Sequence, residues 1–98
     1  MKIKYKKWKG TVTKVGVYGN GRIALELIDD NDGECILIIT VNLVNEELTG
    51  NEIAIKNCSE NEGIYQILFD AGIVGEIKRY AQSGYNKYPI CDLLMNFE

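Results

Sequence analysis

The most apolar stretch of the chain runs from Glu34 to Leu43, Glu-Cys-Ile-Leu-Ile-Ile-Thr-Val-Asn-Leu. Strand side chains alternate between two faces. Cys35, Leu37, Ile39, Val41 and Leu43 therefore share one face, and Ile36 and Ile38 share the other with Thr40 and Asn42. One face is wholly apolar and the other is apolar for half its length. A strand with one wet face would alternate cleanly, so the pattern predicts a central strand covered on both sides. The β-branched content and the turn residues at both ends favour a strand over a buried helix.

The flanking segments should supply the covers. Residues 2 to 9 alternate loosely, with Ile3 and Tyr5 on one parity and Trp8 on the other. In residues 11 to 18, Thr11, Thr13, Val15 and Val17 oppose Val12, Lys14, Gly16 and Tyr18. Gly10 is expected to kink these two pieces into one bent strand. Gly19-Asn20-Gly21 reads as a tight turn, since Gly and Asn accept positive φ cheaply. Ile23, Leu25 and Leu27 then face inward. Asp29-Asp30-Asn31-Asp32-Gly33 is the next turn and leads into the apolar ribbon, completing a three-stranded antiparallel meander.

Residues 45 to 51 read as a polar loop, and Ile53-Ala54-Ile55 as a short apolar strand or linker. Ser59 and Glu62 fit a capping box ahead of an apolar run. Ile64, Ile67, Leu68 and Ala71 follow the helical stripe, which Tyr65 and Phe69 widen. Gly72 suits a left-handed C-cap with Ile73 folding back. Residues 76 to 81 fit either a strand or a helical turn, and Ser83-Gly84 marks a turn. Residues 85 to 94 read as a closing strand, which Pro89 assigns to a sheet edge or a bulge because it cannot donate to a ladder. The predicted fold class is α+β. It comprises one antiparallel sheet of four to six strands, including the meander, with one helix at about residues 60 to 71 on one face.

A length of 98 residues without linker or repeat suits one domain, residues 1 to 98. With 46% hydrophobic and 26% charged residues the chain falls among ordinary globular proteins. No apolar run approaches the ~20 residues of a membrane span, and no apolar signal-peptide core follows the lysine-rich N-terminus. A cytoplasmic location is expected. The three cysteines, Cys35, Cys58 and Cys91, are too few and too widely spaced for a disulfide framework and are expected to be reduced. Histidine is absent, which removes Ser-His and Cys-His catalysis and any His-containing zinc site.

Charge is segregated behind a net charge of −3. Residues 1 to 25 hold Lys2, Lys4, Lys6, Lys7, Lys9, Lys14 and Arg22 and no acid, whereas residues 26 to 62 hold ten acids against Lys56 alone. The acidic turn is not an EF-hand: aligning Gly33 with the loop glycine puts Ile28 and Ile39 at ligand positions. Gly16, Gly19 and Gly21 lie between predicted strands, unlike a phosphate loop that opens a helix. No metal or cofactor is expected. A carboxylate field can steer toward a basic partner, and tyrosine is favoured at protein interfaces. Asp29, Asp30, Asp32, Glu34, Tyr85 and Tyr88 are therefore the candidate partner-binding residues, against the plainer reading of a solvated face. Lys4, Lys6, Lys7, Trp8 and Lys9 are the candidates for an alternative, nucleic-acid-binding surface, since rings beside lysines can hold a single strand. The pI of about 5.0 and the acidic middle oppose that reading. Cys91 beside Lys87 and Asp92 is the one grouping with any look of a reactive thiol.

Thr40-Val41-Asn42-Leu43, Asn57-Cys58, Gly72-Ile73, Ser83-Gly84-Tyr85 and Tyr88-Pro89 carry a resemblance. From about Gly10 to Leu94 the chain resembles a family of small uncharacterised proteins carried by plasmids, phages and conjugative elements of Gram-positive gut bacteria. That family has no established enzymatic activity, so the resemblance implies no catalytic residue. It implies a mobile-element setting, in which small acidic proteins often block host defences such as CRISPR nucleases. The expected function is thus non-enzymatic binding of a host or defence-system protein, with a nucleic-acid-binding accessory protein as the alternative. The residues are silent on oligomeric state.

Overall fold

The computed structural model describes residues 1–18, 22–43, 46–48, 50–58 and 61–95. It is a mixed α and β structure, mostly antiparallel strands, arranged as two sheets rather than the single sheet expected. The first sheet is a meander of β1 (Lys2–Tyr5), β2 (Trp8–Val17), β3 (Ile23–Asp29) and β4 (Cys35–Ile38) in the order β1-β2-β3-β4. The second holds β5 (Glu52–Ala54), β6 (Arg79–Ser83) and β7 (Asn86–Asp92) in the order β5-β7-β6. The helix α1 (Ile64–Asp70) lies between β5 and β6 in sequence.

The N-terminal half corrects the bent-strand expectation. Tyr5 pairs with Trp8 and closes a two-residue loop, Lys6-Lys7, so residues 2 to 17 form a hairpin. Lys6 takes a φ of 54°, the left-handed value such a loop demands of its first residue. Gly10 makes no kink. It sits in β2 opposite Ile3 and Asp29, where a Cβ would come within 2.5 Å of the Ile28 carbonyl oxygen. The Gly19-Asn20-Gly21 turn lies outside the described residues, but the Tyr18 N–H donates to the Arg22 carbonyl across it at 2.7 Å.

The apolar ribbon is not a central strand. Its first half, β4, is the rim of the first sheet, with Cys35 exposed and Ile38 49% exposed. Its inner parity holds where expected, since Leu37 and Ile39 are buried. After Ile38 the ribbon changes partner. Ile39 N–H still donates to the Leu25 carbonyl, but Thr40 bridges to Ile55 and Val41 N–H donates to the Ala54 carbonyl. The segment thus belongs to the first sheet at one end and to the second at the other.

β7, unlike the ribbon, is a strand covered on both faces. Cys91 and Leu93 point into the main core with Leu25, Leu27, Ile39, Ile55, Ile64 and Leu68. Ile90 points the opposite way into a second cluster with Leu43, Ala54 and Ala81, flanked by Val41, Leu48 and Tyr88. Pro89 therefore sits in the middle strand, against expectation. Its carbonyl accepts the Ile55 N–H at 3.0 Å, so its nitrogen also faces β5, where that strand has already ended. The Ile55 carbonyl, which a residue with an N–H would have satisfied, accepts the Asn57 N–H instead at 3.0 Å.

The helix is shorter than expected. Ser59 of the expected capping box lies outside the described residues. Asn57 supplies a cap, its Oδ1 accepting the Gly63 N–H at 3.1 Å and the Tyr65 N–H at 3.0 Å. The C-terminal expectation holds: Gly72 has φ 75°, its N–H donates to the Phe69 carbonyl, and Ile73 N–H donates to the Leu68 carbonyl. Ile64, Tyr65 and Leu68 form the buried face. The helix packs on β1, where the Tyr5 hydroxyl donates to the Glu62 carbonyl at 2.9 Å. Among the described residues no helix is long and apolar enough to cross a membrane.

Candidate functional site: the acidic turn and Trp8

The β3–β4 turn is rigidly built. Asp29 Oδ1 accepts the Asn31 N–H at 2.8 Å and Asp32 Oδ1 accepts the Glu34 N–H at 3.0 Å. Gly33 takes φ 75° and its N–H donates to the Asp29 carbonyl. Asp30 turns back to β2: its Oδ1 accepts the Thr11 hydroxyl at 2.7 Å, and Lys2 Nζ lies 3.6 Å from its Oδ2. Asp32 and Glu34 are exposed and Asp29 is half-buried, so the turn keeps its negative field.

The hairpin register brings Trp8 to this turn. Trp8 starts β2 two residues before Gly10, which pairs with Asp29, the last residue of β3. Trp8, Asp29, Asp32, Glu34, Cys35 and Ile36 line an open cleft of about 260 Å³. Trp8 is 38% exposed, with Lys7 Nζ 5.3 Å from its ring centroid. Lys6 Nζ lies 5.2 Å from the Tyr5 ring. The basic and acidic segments, remote in sequence, are thus neighbours in space.

No protein-family model matches the chain, and no curated protein or solved structure shows significant similarity to it.

The other candidates are dispersed. Tyr85 is fully exposed at the tip of the β6–β7 hairpin, and Tyr88 is half-buried against the second cluster. Both belong to the second sheet, whereas Asp29, Asp30, Asp32 and Glu34 belong to the first. Lys4 and Lys9 are directly opposite one another across β1 and β2. The Cys91 grouping is no thiolate site: burial pushes the Cys91 thiol up to about 12, and Asp92 adds to the shift. Cys35 is raised to about 11, by desolvation first and then by its hydrogen bond to Glu26 and the charge of that carboxylate. Among the described residues no group of three His, Cys, Asp or Glu side chains is placed to hold a metal ion.

Sequence reasoning missed a network that takes up two further carboxylates of the acidic block, Glu46 and Glu52. Arg22 donates to the Leu43 and Glu46 carbonyls, and Arg79 donates to the Glu46 carboxylate and, at 2.7 Å, to the Glu47 carbonyl. Glu52, whose side chain is only 7% exposed, lies 2.8 Å from Lys78 and 3.8 Å from Arg79. The bond to Glu52 holds the Lys78 ammonium above its ordinary value. Two arginines thus strap residues 46–48 over the second cluster. The partners are more than twenty residues apart in sequence, so no local pattern announces them.

Proposed function

We propose that the chain is a non-enzymatic protein-binding module of a mobile element, docking a basic segment of a host protein on Trp8 and the acidic turn. A bacterial defence nuclease is the expected class of target, in line with the family resemblance. The observation that carries the reading is the setting of a half-exposed indole among Asp29, Asp32 and Glu34 on a turn already held in shape by its own hydrogen bonds. An aromatic ring flanked by carboxylates suits an arginine or lysine side chain, by cation–π attraction and by charge.

The same bonds dictate the test. Charge reversal at Asp29 or Asp32 would also break the turn, whereas Asn keeps the accepting oxygen and removes the charge. The variant Asp29→Asn/Asp32→Asn/Glu34→Gln and the variant Trp8→Ala are compared with the wild type, both in capture from host lysate and in inhibition of purified defence nucleases. Capture and inhibition by the wild type with loss in both variants is the expected result. Equal capture by all three removes this surface from the site, and no capture or inhibition by the wild type ends the reading.

One observation favours the alternative. Lys4 and Lys9 face each other with no ion-pair partner among the described residues, and like charges directly opposite are destabilising. An anion such as a phosphate would relieve them. Trp8, however, lies among carboxylates that repel phosphates. A gel shift on single-stranded DNA or RNA at low salt that weakens as salt rises would support this reading; no shift excludes it.

A further inference from the structure

The two sheets offer four edges, and three are guarded. The rim of β4 is tied by Asn61, whose Nδ2 donates to the Ile38 carbonyl at 2.6 Å, and by the Lys56 N–H on the Ile39 carbonyl. The ribbon covers β5 through the Val41–Ala54 bond. β1 carries Lys2 and Lys4, and lysines on an edge oppose strand addition. Among the described residues β6 has no such protection. It holds no Pro, Lys or bulge, and its single charge, Arg79, is drawn to Glu46 and Glu52.

The direction of the open groups follows from Pro89. Its carbonyl faces β5, so by alternation Tyr88 and Ile90 face β6, where they pair with Ala81 and Arg79. The main-chain N–H and C=O of Tyr80 and Gln82 therefore point away from β7, toward solvent. Tyr80 is 59% exposed and Gln82 is also exposed, and Tyr85 is fully exposed at the end of the same hairpin.

We infer that β6 pairs antiparallel with β6 of a second copy of this chain, about a two-fold axis at Ala81. In that register Tyr80 meets the partner's Gln82 and Gln82 meets the partner's Tyr80, each pair exchanging two main-chain hydrogen bonds. Arg79 meets the partner's Ser83, so no like charges are opposed. The tyrosines at position 80 become diagonal neighbours across the axis, within reach of one another. The two three-stranded sheets become one continuous six-stranded sheet. A self-complementary strand is what a two-fold interface requires, and this edge is self-complementary in hydrogen bonding and in charge. Five-residue strands bury less than the ~1,200 Å² of a standard interface, so the dimer is reversible and concentration-dependent.

Sedimentation equilibrium of the full chain from about 10 µM to about 1 mM tests this, the upper limit marking the weakest association worth naming. The wild-type mass rises from one chain toward two across that range. Tyr80→Lys/Gln82→Lys puts like charges opposite each other in both pairs and stays monomeric, as does Tyr80→Glu/Gln82→Glu. A mixture of the two variants regains the dimer, because each introduced lysine then meets a glutamate. Far-UV circular dichroism confirms that both variants are folded. A wild type monomeric throughout, a lysine variant that still dimerises, or a mixture that fails to recover overturns the inference. Each readout is a mass, so it is independent of partner capture by the acidic turn.

Discussion

Replacing Gly10 with alanine separates two arguments of opposite sign. Strand propensity favours the substitution, because glycine within a strand costs about 0.5–1 kcal/mol relative to alanine. Packing forbids it. The new methyl would lie 2.5 Å from the Ile28 carbonyl oxygen, 3.0 Å from Leu27 Cδ1 and 3.1 Å from the Ile28 carbonyl carbon. Ordinary contact begins at 3.4 Å, so the backbones of β2 and β3 would have to separate by roughly 0.9 Å. Two of the three opposing atoms are main chain, in the middle of a four-stranded sheet, and have no rotamer to escape into. Overpacking of this kind costs about 1–3 kcal/mol, which outweighs the propensity gain. A clash with main-chain atoms falls in the upper part of that range, about 2–3 kcal/mol, so the net destabilisation is about 1–2.5 kcal/mol, a fall in Tm of roughly 4–20 °C for a domain of this size. Urea titration followed by circular dichroism measures it. Gly75→Ala is the control: its nearest neighbour would be Leu94 Cδ2 at 3.8 Å, so its stability should be unchanged or slightly raised. A Gly10→Ala protein as stable as the wild type refutes the close-approach argument and returns Gly10 to a matter of propensity.

Asn57→Ala should destabilise by about 0.5–2 kcal/mol in urea titration, because the Gly63 and Tyr65 N–H groups lose their acceptor. Asn57→Asp keeps the accepting oxygen and should stay close to the wild type. Alkaline pH should weaken the fold through Cys91. Its thiol titrates near 9.0 when unfolded and near 12 when folded, so between those values the unfolded chain releases a proton that the folded chain retains. The contribution is complete below pH 9.0 and falls with rising pH, by at most roughly 1.4 kcal/mol per unit. Cys91→Ala should flatten the stability profile between pH 9 and 10, and equal slopes for the two proteins would contradict the assignment.

Face parity was legible wherever one face is apolar and the other polar. Leu25 and Leu27 were read as inward and are fully buried, and the Gly72–Ile73 cap was read from two residues and is present. Pairing was legible where a turn-rich stretch joins neighbouring strands, as in the β2-β3-β4 meander, and not elsewhere, because alternation says which way a side chain points and nothing about which strand lies alongside. A two-residue loop at Lys6-Lys7 left no Gly, Asn or Pro to mark it, so the first hairpin was hidden. Pro89 misdirected the reading of β7, since its missing N–H counts against a strand only where a partner carbonyl awaits it. The candidate site was half legible. The acidic turn declared itself by composition, but its union with Trp8 depends on the β2–β3 register, and the separation of Tyr85 and Tyr88 from it depends on there being two sheets.

The division into two sheets has a local cause at Thr40, a residue 3% exposed inside an apolar ribbon. Had the ribbon stayed with β3, its main chain would have accepted the Leu25 N–H. It leaves after Ile39, and Thr40 Oγ1 accepts that N–H instead at 3.1 Å. The Tyr18 hydroxyl lies 3.2 Å from the same oxygen and holds the side chain from the far side of the meander. A valine here would have served the hydrophobic face better and left a buried donor without a partner, a loss of about 1–3 kcal/mol. The polar residue is thus the mark of a strand changing partners. Because the ribbon leaves at that point, its first half remains an exposed rim beside the acidic turn, while its second half closes over β5. Among the described residues β6 is then the remaining edge with neither a cover nor a charge of its own to spare.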